Sequence, residues 1–374
     1  MLNFLRAGTS GLTAQAVGAK ETVTRDEVYY RGLFIGVALG LLTLLLSPLL
    51  AVVFLPFMDG DAQTTALAER YFLTVIWGAP AYLATYAITG WLLGNQNSVA
   101  TLKIAIFTNI TNILLSLFFV FVIKMKIEGV ALGTAISQWL GFLYGLLIIR
   151  RRYSPRLKSV GNLFTKTKLK AFFSLNLDIF LRTACLVAVT LWFTRTGAKM
   201  GTDILAANAL LMQLFLLFSF FMDGFAYAGE AIAGKEWGAG NMGKVRILEK
   251  DLMKWGLSLA ILGLLVYFFC GEFILGLLTK EEGVKAVAAD YLPWAITIPL
   301  FGFMAFIYDG IFIGMTLTRK MLLSMACAMA VFFLTYFLLR TPMGNHALWL
   351  AFSLYLLTRG LAQYLLLHHH SNIK

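Results

Sequence analysis

The chain has 374 residues, of which 59% are hydrophobic and 13% charged, and it carries a net charge of +12. Soluble domains carry roughly 25% charged residues, so an ordinary soluble protein is excluded. Apolar runs of about 20 residues follow one another almost to the end, each long enough to cross a bilayer as a helix, and the strict alternation of a β-barrel is missing. The class is an all-α polytopic membrane protein.

In chain order, residues 2–19 resemble the end of a span, too short and polar to cross alone. The start MLNFLRAGTS is not read as a signal peptide, because Arg6 interrupts a short apolar stretch and no cleavage site follows. Full spans are predicted at 28–56, 68–94, 100–123, 129–149, 169–194, 204–233, 251–279, 289–316, 320–340 and 346–367. That makes about ten full transmembrane helices and one partial helix. The stretch RRRYSPRLKSVGNLFTKTKLK (150–170) is the only long polar connector. It divides the chain into an N-terminal lobe (1–150), a basic inter-lobe loop (151–168) and a C-terminal lobe (169–374).

The positive charge is distributed as the positive-inside rule requires, which argues against a nucleic-acid partner. With alternating sides, one face of the membrane receives 20 Lys/Arg and the other eight. The richer side is read as cytoplasmic, and the C-terminus, with its three adjacent histidines, falls there. Cys185, Cys270 and Cys327 all lie in apolar runs and are read as small hydrophobes rather than as disulfides or metal ligands.

An internal repeat of 220 residues links Gly18 with Gly238, Gly90 with Gly310 and Gly94 with Gly314. The last two pairs open and close G-x-x-x-G runs, which let helices approach closely. Pro80 and Pro299 stand one residue off this spacing and suggest a bend in both copies. A long repeat in an apolar chain is a mark of two-lobed transporters. The register sets Met1 opposite residue 221, whereas the second copy begins near Lys168, so about 50 residues of the second copy have no counterpart. The chain is therefore expected to begin partway through the first copy.

A charge at mid-bilayer costs about 2.5–3.5 kcal/mol even on the mildest scale, so ionisable residues inside spans call for a reason. Asp178 and Arg182 are four apart, share a helix face and are expected to pair, whether as a structural or a functional unit. Asp223 and Glu230 lie seven apart, two turns along one face, with no basic partner nearby in sequence. Such carboxylates suit proton exchange. Asp309, beside Gly310, suits the same task or a direct meeting with a cation. The first copy has only Asn109, Asn112, Ser116 and Thr134 as buried polar groups. Asn112 and Ser116 either line a cavity or bond neighbouring helices. No Walker-type loop is present, and the histidines are confined to His346 and the terminal three, so an ATP-driven pump and a His-based enzyme are not expected.

LNLDIFLRT (175–183), DILAANALLMQ (203–213) and MDGFAYAGEAIAGKEWGAGN (222–241) resemble the DinF-like branch of the multidrug and toxic compound extrusion (MATE) family. FLRAGTSGLTAQAVGAK (4–20), GWLLGNQ (90–96), EGVALGT (128–134), YDGIFIGMT (308–316) and GNHALWLA (344–351) are similar to the same branch. The resemblance implies two pseudo-symmetric six-helix lobes around a central cavity, the first of them truncated here. It implies export of amphipathic, cationic compounds by alternating access in the inner membrane, coupled to H⁺ or Na⁺, with no other cofactor and no bound metal, by a monomer. Asp178, Asp223, Glu230, Asp309 and Arg182 match the branch's membrane residues, and Asn112 and Thr134 match polar positions of its N-lobe cation site. The family's first helix, which bears an aspartate, is without a counterpart, and Ser116 stands where many relatives carry an aspartate. Two other readings stay open: a lipid or oligosaccharide flippase of the same superfamily, and an inactive truncated remnant.

Overall fold

The computed structural model describes residues 4–54, 61–156 and 163–371. Among these, every regular element is a helix, and ten segments are long and apolar enough to cross a bilayer. The chain separates into two compact units, Leu2–Phe172 and Phe173–Lys374.

The first unit contains α1 (Phe4–Gly18), α2 (Thr22–Leu45), α3 (Ser47–Phe54), α4 (Ala62–Val75), α5 (Ala79–Gly94), α6 (Ser98–Leu117) and α7 (Ile127–Arg152). The span predicted as one run over 28–56 is two helices. Pro48, at the second position of α3, has no N–H to continue the hydrogen-bond ladder of α2, and Ser47 Oγ instead donates to Leu44 O at 2.7 Å. The span predicted over 68–94 is α4, a single 3₁₀ turn (Ile76–Gly78) and α5.

The second unit contains α8 (Lys166–Met200, beginning in the first unit), α9 (Thr202–Gly238), α10 (Met242–Leu278), α11 (Glu282–Gly314), α12 (Thr318–Met343) and α13 (Asn345–Ser371). At 1.5 Å per residue the 37-residue helices α9 and α10 run about 55 Å, well beyond a hydrocarbon core of about 30 Å. The middle of α9 and the second half of α10 keep an apolar outer surface: Phe268, Phe269 and Phe273 on α10 and Phe220 and Phe221 on α9 are exposed, as a lipid-facing surface requires. From the same Phe-rich run, Phe218 is buried and Phe215 packs on Phe306 and Phe352. Cys270 and Cys327 are exposed, Cys185 is half-buried, and all three are free thiols.

The repeat is written into the packing. Gly90 on α5 lies against the Arg6 carbonyl of α1, and Gly310 on α11 lies against the Ala226 carbonyl of α9. Gly94 likewise meets Ser10 O, and Gly314 meets Glu230 O. Every partner pair (6 and 226, 10 and 230) is again 220 apart, so α1 corresponds to the last turns of α9. The left-handed residues repeat too: Lys20 with Gly240, and Gln96 with Thr316. The two prolines do not share an environment. Pro80 opens α5, where its missing N–H costs nothing, while Pro299 stands inside α11.

The basic connector folds back onto α2. Arg31 Nε donates to Leu163 O at 2.9 Å, the Arg156 N–H donates to Asp26 Oδ2 at 3.0 Å, Tyr30 Oη donates to Pro155 O at 3.0 Å, and Lys168 pairs with Glu27. Asp26, Glu27 and Arg31 are all buried, which is why α2 opens in a charged sequence. Residues 157–162 of the connector lie outside the described residues.

Candidate functional site

The second unit gathers its ionisable residues where α8, α9, α11 and α13 provide them. Asp309 precedes Gly310, whose lack of a side chain lets α11 rest on the backbone of α9. Asp309 Oδ2 accepts from Nη2 of Arg182 on α8 and from Nη2 of Arg359 on α13. Asp309 Oδ1 accepts from Gln363 Nε2 at 2.7 Å. Arg359 and Gln363 are one helical turn apart, so one face of α13 supplies both. Arg359 is 2% exposed and Gln363 fully buried. The guanidinium of Arg359 also stands 5.7 Å from the Phe306 ring centre, a cation–π distance.

Two guanidiniums on one carboxylate leave an excess positive charge. Asp223, on the neighbouring helix α9, is a further half-buried carboxylate of this unit. Three buried polar atoms in this cluster, Nε of Arg182, Nε of Arg359 and Oε1 of Gln363, have no hydrogen-bond partner among the described residues. A cluster with two acids, two arginines and spare donors can exchange partners, which a rigid apolar core cannot.

The expected Asp178–Arg182 pair is not formed. Sequence spacing put both on one helix face, but Arg182 turns to Asp309 across the helix packing. Asp178 accepts instead from Thr318 Oγ1 of α12 at 2.9 Å and lines a cavity of about 760 Å³ with Thr316, Arg319 and Lys320. Glu230 is 1% exposed, on the part of α9 that Gly314 touches, and Asp223, seven residues before it, is half-buried. Glu230 is thus enclosed by protein. In the first unit, Asn112 Nδ2 on α6 donates to Thr134 Oγ1 on α7 at 2.9 Å, and Thr134 donates in turn to Val130 O. These two residues join neighbouring helices. Ser116 packs against Gly133 of α7.

Arg359 and Gln363 were not singled out from sequence, although a charge and an amide one turn apart in an apolar run carry the same signal as Asp178 and Arg182. Asn208 was also missed. Its amide exchanges two hydrogen bonds with that of Asn345, at 2.9 and 3.0 Å, and accepts a third from Trp349 Nε1 at 2.9 Å. That knot ties α9 to the start of α13. No grouping of His, Cys, Asp and Glu suited to a metal ion occurs among the described residues.

The MatE family model matches residues 1–118 and 178–337. The chain is 36% identical over 369 residues to DNA damage-inducible protein F of Escherichia coli (strain K12), covering 97% of this chain and 79% of that protein. In fold it is similar to a multidrug resistance MATE family transporter of the MOP superfamily in its outward-facing conformation, at a TM-score of 0.88 and 16% identity, covering 97% of this chain and 82% of that one. With the same TM-score, identity and coverages it is also similar to a MOP superfamily transporter from Pyrococcus furiosus described as having a binding pocket of reverse polarity. The all-helical fold, the repeat and the matching of most of the chain converge: this chain belongs to the MATE family of membrane transporters.

Proposed function

We propose that the chain is a cation-coupled antiporter, exporting amphipathic, cationic small molecules by alternating access in exchange for inward H⁺ or Na⁺. The observation that carries this reading is Glu230. A carboxylate with 1% exposure on a membrane helix marks a functional site by default, and binding and release of a small cation is what it is suited to do. Asp309 is less suited to carry a cation alone, because Arg182, Arg359 and Gln363 already occupy its oxygens. It serves as an ion-pair node linking α8, α11 and α13, and a change at Glu230 on α9 reaches it through the close α9–α11 contact. Asp178 and Asp223 complete the acidic set, while Asn112 and Thr134 form the polar pair of the first unit. The protein acts as a monomer in the inner membrane, with the connector and C-terminus on the cytoplasmic side, where loop charge is richest.

Cells expressing the chain should hold less of a fluorescent cationic dye, and dissipating the gradients should restore it. Glu230→Gln should abolish the difference while the protein remains in the membrane at wild-type level. Dye levels equal to those of empty-vector cells would remove the antiporter reading. A second reading is favoured by one observation. Arg182 and Arg359 put two guanidiniums beside the candidate site, which suits an anionic cargo such as a phosphorylated lipid or oligosaccharide. Export of an anionic amphiphile together with indifference to cationic dyes would favour that reading.

A further inference from the structure

The second unit carries a cavity of about 730 Å³ among α10, α11 and α13, separate from the Asp309 cluster. Arg246, Lys250 and Lys254 stand along one edge, four residues apart on one face of α10, spanning about 12 Å. Met253, Met304 and Leu361 supply the apolar part of the lining. Its one carboxylate, Glu249, is buried and withdrawn: it accepts from Tyr308 Oη at 2.7 Å and lies 3.8 Å from His368 Nε2. Among the described residues no ion pair engages Arg246 or Lys250, and Lys254 reaches only the exposed Asp251 at 3.9 Å. The cavity thus offers uncompensated cations above an apolar floor.

The repeat gives this feature its meaning. In the register of 220, Arg246 corresponds to Asp26 and Lys250 to Tyr30. In the first unit those two residues hold the protein's own connector, through Arg156 N–H and Pro155 O. The second unit keeps the helix framework and replaces an acid by a base at the matching position. Where Asp26 takes a hydrogen-bond donor, the Arg156 N–H, the matching Arg246 calls for an acceptor or an anion instead. The volume is within the range of sites for organic ligands, and far more than an inorganic ion fills.

We propose that this cavity binds an anionic phospholipid, with the phosphate on Arg246 and Lys250 and acyl carbon along Met253, Met304 and Leu361. Basic pockets between membrane helices at the positively charged side are suited to such headgroups. Tyr364 and His368, ring centres 4.3 Å apart, form an aromatic edge of the lining, the residue type suited to a headgroup boundary.

The test uses the purified full chain in detergent micelles containing phosphatidylcholine, with and without phosphatidylglycerol, and separately with inorganic phosphate. Phosphatidylglycerol should raise the thermal midpoint of wild type, and inorganic phosphate should not. R246Q/K250Q should lose that rise. K103Q/R195Q, which removes two exposed charges elsewhere, should keep it. L361W, which fills the apolar floor and leaves the charges in place, should also lose it. Equal midpoints in the two lipids, or a full rise in R246Q/K250Q, overturn the proposal, and a rise with inorganic phosphate alone overturns the lipid assignment in favour of a free-anion site. Mass spectrometry of the intact wild type gives an independent reading: a retained anionic phospholipid is expected, and retention of none is the contrary result.

Discussion

Gly90 and Gly310 show how one missing side chain sets a helix contact. A Cβ at either position would overlap a carbonyl oxygen of the facing helix, which no rotamer change relieves. Gly310→Ala should lower stability by about 1–3 kcal/mol, the usual range for overpacking, read as a lower thermal midpoint in detergent. Gly224, where a Cβ would meet nothing within 4 Å, is the control and should change little beyond helix propensity. Asp309 makes the contrasting case. Asp309→Ala leaves Arg182 and Arg359 facing each other in the protein interior, and removing one member of a buried ion pair costs about 3–5 kcal/mol. Lost transport in that variant would therefore be expected from instability alone. Glu230→Gln retains shape and hydrogen-bonding capacity, and is the cleaner probe of coupling. If Asp309→Ala were as stable as wild type, the ion-pair node would be wrong.

At the scale of elements, the spans were legible because a bilayer imposes a length on apolar runs, and ten such helices occur among the described residues. The break at Pro48 was not legible, since both sides of it are apolar and the proline alone does not say whether a helix kinks or stops. The site was legible only in part. Asp178 and Arg182 were found as buried charges, but their partners lie 140 and 127 residues away, and a local pairing rule cannot see that far. Arg359 carries the same signal as Arg182, a cation in an apolar run, and shares its partner Asp309. Asn112 and Thr134 are ordinary polar residues whose contact rests on how α6 and α7 pack. The connector is an element with its own prediction. Arg31→Ala removes the hydrogen bond to Leu163 O and the 3.8 Å contact with Glu27, and should speed tryptic cleavage in the stretch 150–170 relative to wild type. Unchanged cleavage would mean that Asp26 and Tyr30 suffice to hold the connector.

At the scale of the molecule, the two units share a helix plan and differ in charge. The first unit spends its buried ions at the α2–connector contact, and the second places its own on membrane helices around Asp309. Position 10 is a serine where position 230 is a glutamate, and position 89 is a threonine where position 309 is an aspartate. The repeat thus preserves the packing glycines and varies the residues beside them, and under the proposed function the coupling carboxylates are those of the second unit. The most direct measurement is uptake of a fluorescent cationic dye into inverted membrane vesicles loaded with acid or with sodium. Uptake driven by one of these gradients, lost when that gradient is collapsed and lost in Glu230→Gln at equal protein level, is the predicted result. Uptake no greater than that of vesicles lacking the protein under both gradients, or a Glu230→Gln variant as active as wild type, would contradict the account.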